Sequence, residues 1–319
     1  MKIRLSSFKS SAVWVLLLAL WAIPSSTASQ ATTFDETVPP GANYDKAEFR
    51  LWLPPANSPV RAIVVLVPGS NGDGRPMAAD AFWQTFAAKH SLALVGCRFT
   101  DKPHDQSFIE EYIDVARGSG QALLDVLATF AAKTKHPELA HAPFFMWGMS
   151  AGGQFNYEFV AWRPERVAAF VVNKGGIYYH ALVSNAAREV PGILFTGEKD
   201  LEFRTNTING LFAVNRRGGA LWALTQEPGA AHVVARSRDL GAMLFEDVLP
   251  LRVPDAIATN GPVTLKAIEP KSGFIGDLKA MTTKPTADAG TLSAPTSWLP
   301  TARLARAWVA VVTGAPFDE

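Results

Sequence analysis

The chain has 319 residues, 48% of them hydrophobic, with 30 Lys and Arg against 29 Asp and Glu. That is enough apolar material for one sizeable packed domain, and with so even a charge no basic patch that would recruit nucleic acid is expected. Cys97 is the sole cysteine, so no intramolecular disulfide is available and stability must come from the core.

Lys2, Arg4 and Lys9 precede the apolar run Ala12 to Ile23, and Pro24 and small residues lead on to Ala28 and Ala31. That order reads as a secretory leader over residues 1–31, with cleavage after Ala28 or Ala31, because the apolar part falls short of the roughly 20 residues that span a bilayer. An uncleaved anchor is the alternative. Cleavage would take the basic count from 30 to 27 against 29 acids, a formal charge of −2. The mature protein is then expected to be secreted or periplasmic, without a stable membrane anchor.

Thr32 to Asp45 is polar and Pro/Gly-bearing, and reads as a lead-in before ordered structure begins. Ala47 to Leu53 alternates polar and apolar residues and ends at Pro54-Pro55, which predicts an antiparallel edge strand. Arg61 to Val67 is a continuous aliphatic run, the pattern of a strand covered on both faces in a parallel sheet. A helix over Ala79 to Lys89, a strand over Leu92 to Cys97 and a long helix over Phe108 to Lys133, weakened by Gly118 and Gly120, follow in turn. Strands at Pro143 to Trp147, Val167 to Val172, Gly192 to Thr196 and Ala220 to Leu224 alternate with helices after Ala151, at Leu201 to Arg216 and at Ser237 to Val248. This alternation predicts an α/β fold with a mostly parallel sheet and helices on both faces. From about Leu251 the chain is rich in Pro, Gly, Ala and Thr, with a short helix over Thr301 to Val312. Met281 to Pro295 reads as a linker or as an excursion packed on the body, and residues 32–319 as one domain with a C-terminal extension.

The chemistry centres on Gly148-Met149-Ser150-Ala151-Gly152-Gly153, a G-x-S-x-G between a predicted strand and a predicted helix. Alone, the pattern is as readily a Gly-rich turn as a nucleophile elbow. A serine hydroxyl needs a base, and His232 lies on the loop after the Ala220 to Leu224 strand, at the strand C-termini where Ser150 also emerges. An acid must orient that imidazole. Gly197-Glu198-Lys199-Asp200 follows another buried strand, and Asp200 is preferred over Glu198 because it is farther along the turn back over the sheet edge. The oxyanion donors are expected to be the N–H groups of Ser70, in the loop after Val67, and of Ala151, at the start of the helix. Asp101, His104 and Asp105 follow a strand C-terminus and read as a solvated polar loop, with substrate contact as the alternative, and Trp147 and Gly175 to Tyr179 fit a pocket wall or plain packing equally well. Cys97 lacks an elbow of its own and reads as a buried strand residue. Ser6 to Lys9 matches S-x-x-K by accident inside the leader, and no metal-binding or nucleotide-binding pattern occurs in the sequence, so no cofactor is expected.

Taken together and in this order, Pro68-Gly69-Ser70, Gly148-x-Ser150-x-Gly152, the acid loop at Asp200 and Pro228 to His232 resemble the α/β-hydrolase family over Ala47 to Val248. The nearest branch in character is that of polyhydroxybutyrate-depolymerase-like, feruloyl and acetylxylan esterases and dienelactone hydrolases. Two departures stand out. Pro68 replaces the His that many members carry before the oxyanion-loop glycine, and the short Gly175 to Pro191 connection leaves no room for a large lid. The resemblance implies a serine carboxylesterase acting on a small or polymeric ester through Ser150, His232 and Asp200. A serine peptidase on the same fold and a non-catalytic binding protein are the alternatives.

Overall fold

A computed structural model describes residues 31–55, 59–106, 108–255, 261–289 and 295–316. All but the last residue of the expected leader, 1–31, lie outside them. In chain order the elements are β1 (Thr32–Val38), β2 (Lys46–Leu53), β3 (Ile63–Val67), α1 (Ala81–His90), β4 (Ala93–Thr100), α2 (Ser119–Thr134), β5 (Phe144–Met149) and α3 (Ala151–Trp162). There follow β6 (Val167–Asn173), the single turn α4 (Asn185–Arg188), β7 (Gly192–Gly197), α5 (Glu202–Arg217), β8 (Trp222–Glu227) and α6 (Ser237–Arg252). The C-terminal part adds β9 (Phe274–Asp277), β10 (Thr282–Pro285), β11 (Ser297–Leu299) and α7 (Ala302–Thr313).

The main sheet has eight strands in the order β1-β2-β4-β3-β5-β6-β7-β8. From β4 to β8 every neighbour is parallel, while β1 and β2 join antiparallel. Successive residues of β3 point to opposite faces and belong to different cores, as the period of two requires. Ile63, Val65 and Val67 pack with Leu123, Phe155 and Leu211 of α2, α3 and α5. Val64 and Leu66 pack with Trp83, Leu244 and Trp308 of α1, α6 and α7. Both faces are therefore covered, which is why the central strands read as unbroken apolar runs.

The structure corrects the sequence reading in two places. Thr32 to Val38 is not a lead-in but the edge strand, paired residue by residue with Leu53 to Ala47, so β2 is internal. An edge strand is held mainly by ladder hydrogen bonds and needs little apolar content; here Arg50 adds a two-pronged bond to Asp35, both contacts 2.7 Å. The helix expected from Phe108 begins only at Ser119. Before it, Asp101 Oδ1 accepts the Glu111 and Tyr112 N–H groups, and buried Asn43 donates to the Glu111 and Asp114 carbonyls while accepting Ser119 N–H. These side chains take the backbone groups a continuous helix would have used, and Gly118 turns the chain at φ 145°.

The C-terminal extension packs onto the body. It forms a small sheet, β10-β9-β11, beside the last strand of the main sheet. Ser297 Oγ accepts Leu224 N–H at 2.9 Å and donates to the Leu224 carbonyl at 3.1 Å, and Trp308 Nε1 donates to that same carbonyl at 3.0 Å. The β8 edge is thereby closed to pairing with other chains.

Helices α1, α6 and α7 are also joined through Glu246, which binds Lys89 at 2.6 Å and Arg303 at 2.5 Å. Burial raises its carboxyl, but the Lys89 and Arg303 hydrogen bonds outweigh that and hold it at about 2, against an ordinary 4.5. A folded-state value below the unfolded one stabilises fully above the unfolded value and is lost as pH falls toward the folded one. Glu246→Gln is therefore expected to lower Tm at pH 7, by roughly 2–4 °C. In thermal melts the gap to the natural protein should close as pH falls below 4.5; a gap independent of pH contradicts the assignment.

Candidate active site

At the end of β5 the chain makes a reversal that only its glycines permit. Ser150 is held at φ 54°, ψ −121°, a conformation costing on the order of 1–3 kcal/mol for a residue with a side chain. Its N–H donates to the Asn173 carbonyl at 2.7 Å, and its own carbonyl accepts Gln154 N–H at 3.1 Å. A Cβ on Gly148 would lie 2.2 Å from the Gly152 carbonyl oxygen, and one on Gly152 would lie 2.1 Å from that of Val67. Helix α3 thus starts directly against the end of β3, with Ser150 raised at the junction.

His232 reaches the same place from the loop after β8. Its Nδ1 lies 2.8 Å from Asp200 Oδ2, and the Asp200 side chain is almost wholly buried. Asp200 Oδ1 accepts Leu201 N–H at 2.7 Å and Arg204 Nη1 at 3.0 Å. Burial alone would push this carboxyl up, but the hydrogen bonds from His232, Leu201 N–H and Arg204, with the charge of His232, leave it below its ordinary value of 3.8. An ionised Asp200 can only accept, so His232 carries a proton on Nδ1, and in the neutral ring Nε2 is left as a base. Glu198, the other acid of this loop, instead accepts Gly229 N–H at 2.6 Å and fastens the turn before His232. Ser150 and His232 line one cavity of about 550 Å³.

Ser70 lines this cavity too, and a Cβ on Gly69 would stand 3.6 Å from Ser150 Cβ, so the loop lies against the serine. With Pro68 where a His is common, other groups order the loop. Asn71, at φ 53°, donates its N–H to Tyr112 Oη at 3.2 Å, accepts Asp101 N–H at 2.7 Å, and donates from Nδ2 to Ser70 Oγ at 3.3 Å. Ala151 is the first residue of α3, where an N–H has no acceptor within the helix.

Three residues that the sequence reading passed over hold the His232 loop in place. Asn173 Nδ2 donates to the Val233 and Val234 carbonyls at 3.4 and 3.3 Å. Lys174, fully buried at φ 57°, donates to Asn173 Oδ1 at 3.0 Å and forms an ion pair with buried Glu227. Glu227 Oε1 accepts Arg236 N–H at 2.7 Å, closing the loop from its far side. Their one signal in the sequence is a lysine directly after an apolar strand. Phe108, Phe203, Glu110 and Gln154 add to the cavity wall and were likewise not singled out.

Other candidates take structural places. Trp147 is buried against Trp83 and donates to the Ser237 carbonyl at 3.2 Å, away from the cavity. Of the Gly175 to Tyr179 stretch, Gly176 reaches the cavity wall. Asp101 orders backbone, as described above, with His104 3.6 Å from it, while Asp105 is exposed. Cys97 is buried in β4, where burial pushes its thiol well above the usual range. No group of acids, histidines and cysteine suited to a metal ion occurs among the described residues.

No family model matches the sequence, and no curated protein matches it. Among solved structures, the chain is similar to LpqC, a poly(3-hydroxybutyrate) depolymerase from Bordetella parapertussis, at 18% identity over 71% of this chain and 93% of that one, with a TM-score of 0.53. It is also similar to poly(aspartic acid) hydrolase-1 from Sphingomonas sp. KT-1, at 15% identity over 66% of this chain and 97% of that one, with a TM-score of 0.49. The sheet order, its crossovers and the LpqC likeness give this chain the α/β-hydrolase fold.

Because Lys174 and Glu227 are both buried, removing one leaves the other charge unpaired. Lys174→Met is expected to cost about 3–5 kcal/mol in urea unfolding, and Lys174→Met combined with Glu227→Met to recover much of that. Equal losses in the single and double variants contradict a coupled pair.

Proposed function

We propose that the protein is an exported serine carboxylesterase. The observation that carries this is the convergence of Ser150 and His232 on one cavity, with His232 held by ionised, buried Asp200. Ser150 Oγ attacks the ester carbonyl while His232 Nε2 takes its proton, and the imidazolium so formed is stabilised by Asp200. The N–H groups of Ser70 and Ala151 hold the oxyanion. His232 then gives its proton to the departing alcohol, and a water activated by the same nitrogen releases the acid from Ser150. The groups of this scheme are side chains and backbone N–H alone, so it calls on no cofactor.

An ester substrate is supported by the fold shared with a poly(3-hydroxybutyrate) depolymerase. Access is supported by the connection between β6 and β7, whose only helix is the four-residue α4. Phe108 and Phe203, their rings 6.1 Å apart, flank the cavity. Export rests on the order of charges, apolar run and small residues before Thr32.

Ser150→Ala and His232→Ala are each expected to lower kcat/KM for p-nitrophenyl acetate by about 10⁴-fold or more without lowering Tm, and Asp200→Asn by a comparable factor. Undiminished turnover in Ser150→Ala contradicts the assignment, and faster cleavage of an aminoacyl anilide than of the ester favours a peptidase. Mass analysis of protein exported from a bacterial host should find an N-terminus at Ser29 or Thr32; an intact Met1 contradicts a cleaved leader.

A further inference from the structure

One charge in the cavity wall has no counterpart in the protein. Glu110 lines the cavity together with Ser150 and His232 and is 7% exposed. No donor among the described residues bonds its carboxylate. Its oxygens are not among the sealed, unbonded polar atoms, so the surface they keep is open to the cavity. The other charged groups of the wall, Arg204 and His232, are both taken up by Asp200, at 3.0 and 2.8 Å. The Glu110 charge lies close to the Ser70 loop: after burial, it adds to the upward push on the Tyr112 hydroxyl, which accepts Asn71 N–H. A nearly buried carboxylate is costly without an opposite charge, and here the cavity is the one direction from which that charge can come.

The apolar part of the same wall suits a cation. Phe108 and Phe203 are 60% and 40% exposed, with ring centres 6.1 Å apart, so a ligand in the cavity can lie on them. They already face one cation, the Arg204 guanidinium, whose carbon is 5.7 and 5.1 Å from the two ring centres. Resting on the esterase reading above, we propose that Glu110, with Phe108 and Phe203, forms a subsite for a positively charged amine, so that the favoured substrate is an ester whose acid or alcohol part carries an ammonium group. The ammonium N–H groups bond to the carboxylate while the carbons around the nitrogen rest on the rings, whose faces attract cations. A neutral hydroxyl would satisfy the acceptor but leave the charge unbalanced. Arg204 does not balance it, because Asp200 holds that guanidinium. Glu110 is a specificity residue in this scheme; the bond-making steps run through Ser150 and His232.

The test compares kcat/KM for isosteric esters that differ in one charge: p-nitrophenyl 6-ammoniohexanoate against p-nitrophenyl heptanoate for the acyl side, and 2-(dimethylammonio)ethyl against 3-methylbutyl butyrate for the alcohol side. Each ratio is divided by the same ratio for hydroxide hydrolysis, which removes the amine's own effect on the carbonyl. At neutral pH the natural protein is expected to favour the cationic partner by on the order of tenfold in at least one pair after this correction. Glu110→Gln and Glu110→Met should each bring the corrected ratio near one. Any effect of the Glu110 charge on the oxyanion is common to both partners and cancels. Since no protein group binds the carboxylate, neither change should lower Tm. A corrected ratio near one in the natural protein overturns the subsite and leaves the esterase reading intact. A preference that survives in both variants also overturns it, as does a large fall in Tm in both, which would give the carboxylate a structural task instead. Failure to cleave any of the four esters overturns the esterase reading, and the subsite with it.

Discussion

The close approach of two backbones, the end of β3 and the first turn of α3, is the constraint from which the site follows. It exists because positions 148 and 152 carry no side chain, and it leaves Ser150 in a conformation that its neighbours must enforce. The enforcement is visible in the bond from Ser150 N–H to the Asn173 carbonyl across the adjoining strand. The Gly69 loop lies beside it, with room between Gly69 and Ser150 for no more than a methyl group. Rigid strands thereby hold the Ser150 hydroxyl in place, which a surface loop alone could not do.

The same strand ends carry the polar groups gathered around this hydroxyl. Asp200 is buried yet ionised, a state it keeps because three donors surround it. Around the corner, Lys174 and Glu227 use a second buried charge pair to fasten the loop that bears His232. Burying two ions is costly, and a hydrophobic pair of similar volume is often close to it in stability. The pair instead supplies directed bonds to Asn173 and to the Arg236 backbone, which a hydrophobic pair could not make. Specificity of loop position is what the cost secures.

Much of this was legible in the sequence because it rests on short-range signals. Unbroken apolar runs marked β3 and β5 to β8, glycines marked the elbow, and His232 and Asp200 followed strands whose ends share one edge. What escaped depended on partners distant along the chain. Thr32 to Val38 carries no alternation of its own and is a strand only because β2 offers it a ladder. The start of α2 is set by Asn43 and Asp101, neither within reach of a helical window. Glu227 is 53 residues from Lys174, so neither residue announces the other. The expected oxyanion loop could be placed after Val67, but its fastening by Asn71 and Tyr112 needed the fold.

The most direct measurement is to find which atom a trapped acyl mimic occupies. The full chain is treated with an alkyl fluorophosphonate, digested and mapped by mass spectrometry. A serine activated by His232 requires one stoichiometric adduct on the Ser150 peptide, absent when His232 is replaced by Ala. An unlabelled protein that is otherwise folded, an adduct on another residue, or labelling of Ser150 that persists without His232 would contradict it.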